Sequence, residues 1–211
     1  MEQFYRMLKE YNIEFLKKNY DVPEWFLQFT EDPPPLYWRT IYKILKDEDK
    51  AKPIIEVGAG YGDVTALLYF LEFKNILSFE LNRPLIERIN QKILALCGKR
   101  PTVINRKYPV KTDHTPGIII QVNCIYSSSF KTKLDYLEGI RRLYLLNGIP
   151  YMFLFESIDD SYREPNDTYP YYVRLNEDDI KQTFPHCKID SYPTYVYPNN
   201  RVSKTLYKIC T

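Results

Sequence analysis

Histidine is nearly missing from this chain: 211 residues contain two, His114 and His186. The four cysteines, Cys97, Cys124, Cys187 and Cys210, are scattered, and no pair has the C-x-x-C spacing of a metal or redox site. No metal is therefore expected, and the cysteines read as reduced thiols of a cytoplasmic protein. The sequence has no apolar run of about 18 residues, which excludes a transmembrane helix. The stretch MEQFYRMLKEYNIEFLKKNY alternates charge with apolar residues and does not read as a secretory leader. Charge of one sign is lacking too. The sum of 29 Lys and Arg against 27 Asp and Glu is +2, and this balance argues against a nucleic-acid partner. Glycine is scarce, with seven in all, yet three of them fall within the five residues 58–62.

The chain is rich in tyrosine (20) and proline (15). Tyrosine joins an apolar body to a polar tip, so it suits a core or a polar pocket. Residues 2–19 carry a helical apolar stripe through Phe4, Tyr5, Leu8 and Tyr11. FTEDPPPLYW (29–38) reads as a rigid loop, because its three prolines fix φ. A second helix is predicted over about 36–46. From PIIEV onward, short apolar strands alternate with amphipathic helices. NRPLIERINQKILALCG has proline in its first turn and Gly98 as its stop. GIIIQV and PYMFLFES are continuous apolar strands, with the helix KTKLDYLEGIRRLYLL between them. A helix over about 176–183 precedes two last strands, CKIDSY and SKTLYKI, joined through a Pro-Asn-Asn turn signal. The alternation predicts an α/β fold with a mostly parallel seven-stranded sheet, helices on both faces and a C-terminal antiparallel hairpin. We divide the chain into an N-terminal helical cap (1–50) and a core (51–211).

The glycine loop IIEVGAGYGD closes the first strand and opens a helix. Glycines at 58, 60 and 62 let backbone approach a ligand, and the helix N–H groups face the same spot. The spacing G-x-G-x-G matches neither the dinucleotide fingerprint nor the phosphate loop. Two acids flank it. Glu56 is a charge inside an apolar strand. Glu80 ends the next strand, where doubly wound sheets place an acid on ribose hydroxyls.

The segment IIEVGAGYGDVTALLYFLEFKNILSFELNRPLIERINQKI resembles the first half of class I S-adenosylmethionine-dependent methyltransferases, whose E/D-x-G-x-G-x-G loop matches Glu56, Gly58, Gly60 and Gly62. The resemblance implies a Rossmann-like class I methyltransferase fold, methyltransferase activity and S-adenosylmethionine as cofactor. It implies cofactor contacts at Glu56, Gly58, Ala59, Gly60, Tyr61, Gly62, Glu80, Leu81 and Asn123. The chain departs from the family after the third strand. There TVINRKYP offers Asn105 and Arg106 in place of the acid that meets the adenine amino group. That departure keeps open a third class, a methyltransferase fold that binds without catalysing.

The acceptor has two further readings. Asn123-Cys124-Ile125-Tyr126 resembles a degraded N-P-P-Y motif of adenine-N6 methyltransferases, which implies RNA or DNA as substrate, but the prolines are missing. The stretch IIQVNCIYSSSF together with G-A-G-Y-G is similar to sugar and small-molecule O-methyltransferases. That similarity implies a polar small molecule or sugar methylated on a hydroxyl, and we favour it. Tyr126, Ser127 and Ser128, with Tyr37 and Trp38 from the proline loop, are candidates for the acceptor pocket. Tyr126, Glu156 and Asp159 are candidates for the catalytic base. Asp160 reads as a solvated acid. Neither histidine is placed at the catalytic end of the sheet.

Overall fold

The computed structural model describes residues 1–19, 21–113, 115–122, 124, 130–160, 169–196 and 202–211. The chain opens with α1 (Glu2–Lys18), whose buried face carries Phe4, Tyr5 and Leu8. Glu2 in its first turn and Lys17 and Lys18 in its last complement the helix dipole. A 3₁₀ turn (Glu24–Phe29) and the proline loop lead into α2 (Leu36–Leu45). Then come β1 (Ile54–Val57), α3 (Asp63–Phe70), β2 (Ile76–Phe79), α4 (Arg83–Cys97) and β3 (Thr102–Ile104). The second half supplies β4 (Ile118–Gln121), α5 (Lys133–Leu145), β5 (Met152–Asp159), β6 (Arg174–Leu175), α6 (Glu177–Thr183), β7 (Lys188–Val196) and β8 (Val202–Cys210).

Local chemistry explains these boundaries. Proline enters the first turn of α4, and Gly98 ends that helix in a left-handed conformation, φ 64°. Thr132 caps α5 by accepting from the Asp135 N–H. Asn176 and Asp179 close a capping box on α6. Strands β1 and β4 are buried at every position, as strands covered on both faces must be.

The strand order is β3-β2-β1-β4-β5-β8-β7, with β6 paired to β5 off this path. Strands β1 to β5 pair in parallel, and β8 runs antiparallel to both β5 and β7. This is the predicted sheet with its hairpin, plus the two-residue β6 that periodicity did not reveal. Two residues carry no readable alternation. The first face of the sheet packs on α1, α2, α3 and α4 through Ile54, Ile118, Ile120, Leu154 and Leu206. The second packs on α5 and α6 through Ile55, Ile119, Phe153, Phe155 and Tyr207. Among the described residues, no helix is long and apolar enough to cross a membrane.

Candidate active site

The strand order reverses at β1, with β2 and β3 on one side and β4 and β5 on the other. This opens a crevice at the carboxyl ends of the parallel strands β1 and β4, where the glycine loop lies. Gly58, Gly60 and Gly62 have φ of 71°, 56° and 78°. L side chains rarely adopt these values, so each glycine is required by the backbone itself. At Gly62 a Cβ would also meet Ile89 of α4 at 3.1 Å. The loop is tied down from β2: Gly58 and Ala59 N–H both donate to the Phe79 carbonyl, at 2.9 and 3.0 Å.

Glu80 leaves β2 beside this loop. Its Oε2 accepts from the Gly60 N–H at 2.8 Å and its Oε1 from the Asn82 N–H at 2.7 Å. A carboxylate has about four acceptor positions, so two more bonds, one per oxygen, fit on Glu80. Leu81 follows it and is 54% exposed, an uncovered apolar surface next to the acid. Asn105 donates through Nδ2 to the Glu80 and Leu81 carbonyls, at 3.0 and 2.8 Å. Asn105, which follows β3, thus shapes the Glu80 turn.

Glu56 is 3% exposed. Its Oε2 accepts from Thr65 Oγ1 at 2.7 Å and Ser78 Oγ at 2.6 Å. Burial pushes its pKa up to about 7, and these two hydrogen bonds oppose the shift. Ser78 is its register partner on β2, so the sheet itself delivers that donor.

A cavity of about 60 Å³ lies over the loop, lined by Glu56, Gly58, Gly60 and Asp63 and roofed by Phe29 and Tyr37. It holds a few water-sized groups, an amino-acid head rather than a nucleoside. Glu80 and Leu81 lie outside its lining. Tyr37 also lines a second cavity, of about 320 Å³, with Glu156, Thr194, Arg39 and Lys204. Glu156 is 3% exposed and accepts from Thr194 Oγ1 at 2.6 Å. Burial raises the Tyr37 pKa well above that of an ordinary phenol, and the charges of Asp63, Glu156 and Glu56 add to the rise.

Tyr37, Glu56 and Glu156, distant in sequence, therefore come together. Trp38 does not line either cavity. It is 2% exposed and stacks on Phe29 and Tyr5 at centroid distances of 5.6 and 6.3 Å. Asp159 lies on the opposite face of β5 from Glu156, by strand alternation, and its charge acts on Tyr207. Tyr61 packs on Phe26 at 4.5 Å and lines the small cavity over the loop. Asn123, Tyr126, Ser127, Ser128 and His114 lie outside the described residues.

Sequence reasoning missed a buried cluster beneath the loop. Asp63 Oδ1 accepts from Lys92 Nζ at 2.8 Å and from Asn12 Nδ2 at 3.0 Å, so α3, α4 and α1 meet at one carboxylate. Burial draws the Lys92 pKa down, and Asp63 opposes that. A signal existed. Asn12 falls one turn after Leu8, and Lys92 falls between Ile89 and Ile93, so both polar groups sit on apolar faces. Arg39, Thr194 and Lys204 were also missed, and no local pattern marks them.

No protein-family model and no curated protein matches the chain. Solved structures do. The N-methyltransferase NodS from Bradyrhizobium japonicum WM9 superposes with a TM-score of 0.62 over 83% of this chain and 94% of that one, at 11% identity. The magnesium protoporphyrin IX methyltransferase ChlM from Synechocystis PCC 6803, solved with bound SAM, gives 0.61 over 83% and 80%, at 13% identity. The methyltransferase domain of bacterial CtHen1-C gives 0.61 over 83% and 96%, at 11%. At such identities the likeness is one of fold. The chain has the doubly wound α/β fold with a reversed terminal hairpin, and this is the fold of class I S-adenosylmethionine-dependent methyltransferases.

Proposed function

We propose that the protein is an S-adenosylmethionine-dependent methyltransferase that methylates a hydroxyl of a polar small molecule or sugar. The observation that carries this reading is the glycine loop gripped by Glu80 and set above Glu56. Its residues fit the cofactor. Positive-φ glycines present backbone without Cβ, the small cavity suits the methionine head beside Glu56, and Glu80 keeps acceptor capacity for a ribose diol. Exposed Leu81 offers an apolar face to the base. A neighbour of the same fold was solved with SAM bound, which supports the cofactor assignment.

When bound, the cofactor supplies a methyl group already activated by its sulfonium. The chain's task is to align the acceptor and take a proton from it. Glu156 is the base in this reading: it lines the second cavity, and Thr194 fixes one of its oxygens. Tyr37 forms part of both cavity walls, so the donor and acceptor spaces adjoin at its ring. The neighbours' acceptors differ among themselves and name none for this chain.

The test is release of S-adenosylhomocysteine on incubation with a panel of sugars and with RNA. Turnover is expected on sugar hydroxyls, and Glu156→Gln should lower kcat by roughly 10²- to 10⁴-fold with little change in cofactor affinity. Turnover on RNA alone would overturn the hydroxyl reading and revive the adenine one.

A further inference from the structure

We propose that the acceptor carries an anionic group, a carboxylate or a phosphate, and that Arg39 receives it. This rests on the reading that the cavity beside Tyr37 takes the acceptor. Arg39 stands two residues after Tyr37 on α2 and lines the same 320 Å³ space. Its Nε is buried and has no hydrogen-bond partner. Among the described residues its guanidinium makes no ion pair. A guanidinium is charged at every physiological pH, and a buried donor left without an acceptor is costly. A planar carboxylate or a phosphate supplies the two-pronged acceptor that a guanidinium fits best.

The rest of the lining agrees with a small, charged, hydroxyl-bearing ligand. Lys204 adds a second cation, and Thr194 and Tyr195 add hydroxyls. Of the two carboxylates present, Glu31 is exposed, and Glu156 is engaged by Thr194. The anion therefore belongs at Arg39 and the hydroxyl to be methylated at Glu156. A ligand with both groups is a sugar acid, a hydroxy acid or a sugar phosphate. Pro33, Pro34 and Pro35 form one wall, and their fixed φ keeps the cavity shaped before the ligand arrives.

Calorimetry on the full chain tests this. S-Adenosylhomocysteine is titrated first, so a failure of the methyltransferase reading shows itself separately. D-Glucuronate, glucose 6-phosphate and glucose are then titrated into the saturated protein. At least one anion is expected to bind about tenfold or more tighter than glucose. The two anionic arms identify carboxylate or phosphate. Arg39→Gln should weaken that anion about tenfold, Arg39→Lys should retain part of the affinity, and S-adenosylhomocysteine affinity should not move. Equal binding of glucose, no binding of either anion, or unchanged anion affinity in Arg39→Gln would each overturn the proposal. If the glutamine variant fails to fold, the comparison of anions with glucose on the wild-type chain still decides.

Discussion

Glu56 holds a carboxylate where water barely reaches. Its folded pKa of about 7 exceeds the ordinary 4.5, with burial as the main cause. The folded state then binds this proton more tightly than the unfolded chain does. Stability from that proton is complete below about pH 4.5 and is lost as pH rises through about 7. Glu56→Gln keeps an acceptor for Thr65 and Ser78 but carries no charge. We expect the variant to melt several degrees above wild type at pH 8, with the gap closing toward pH 5. Melting curves across that range check this, and a gap independent of pH would contradict it. A charge inside PIIEV was legible in the sequence as an anomaly that needed a reason. Its donors were not. Ser78 reaches Glu56 through strand register and Thr65 through the turn of α3, and neither follows from the residue's neighbours in sequence.

The elements around the loop are joined at Asp63. Lys92 of α4 and Asn12 of α1 converge on one of its oxygens, so the N-terminal helix is fastened to the helix that opens the site. The pair is buried on both sides, 3% and 5% exposed. Removing one partner leaves the other charge uncompensated. Lys92→Met should cost about 3–5 kcal/mol in urea unfolding, and adding Asp63→Asn should recover most of it. A cost under about 1 kcal/mol for the single variant would show that the pair does not hold the helices together. The helices themselves were readable from period, proline and glycine. The fastening was not, because a lysine within an apolar stripe signals a buried charge but not the partner that another helix brings to it. The same limit hid Arg39. Nothing in LYWRT separates an arginine that lines a cavity from one in solvent. Its cavity partners Thr194 and Lys204 arrive only when the terminal hairpin closes the sheet.

At the scale of the whole molecule, the order of strands places Glu56, Glu80 and Glu156 at one end of the sheet. β1, β2 and β5 are parallel, so acids at or near their carboxyl ends share an edge. This much followed from the alternation of strands and helices, since parallel strands with right-handed crossovers leave few alternatives. The roof over the loop did not follow. Phe29 and Tyr37 lie far from residues 56–63 in sequence, and only tertiary packing of the N-terminal segment brings them across.

On the proposed reading, this loop and its acids hold S-adenosylmethionine. The most direct measurement is calorimetric titration of S-adenosylmethionine into the wild-type chain and into Glu80→Ala. Saturable one-to-one binding by wild type is expected, with at least tenfold weaker binding by the variant, since two charge-assisted bonds to the ribose are lost. No binding by wild type at millimolar cofactor, or equal affinity of the two chains, would contradict it.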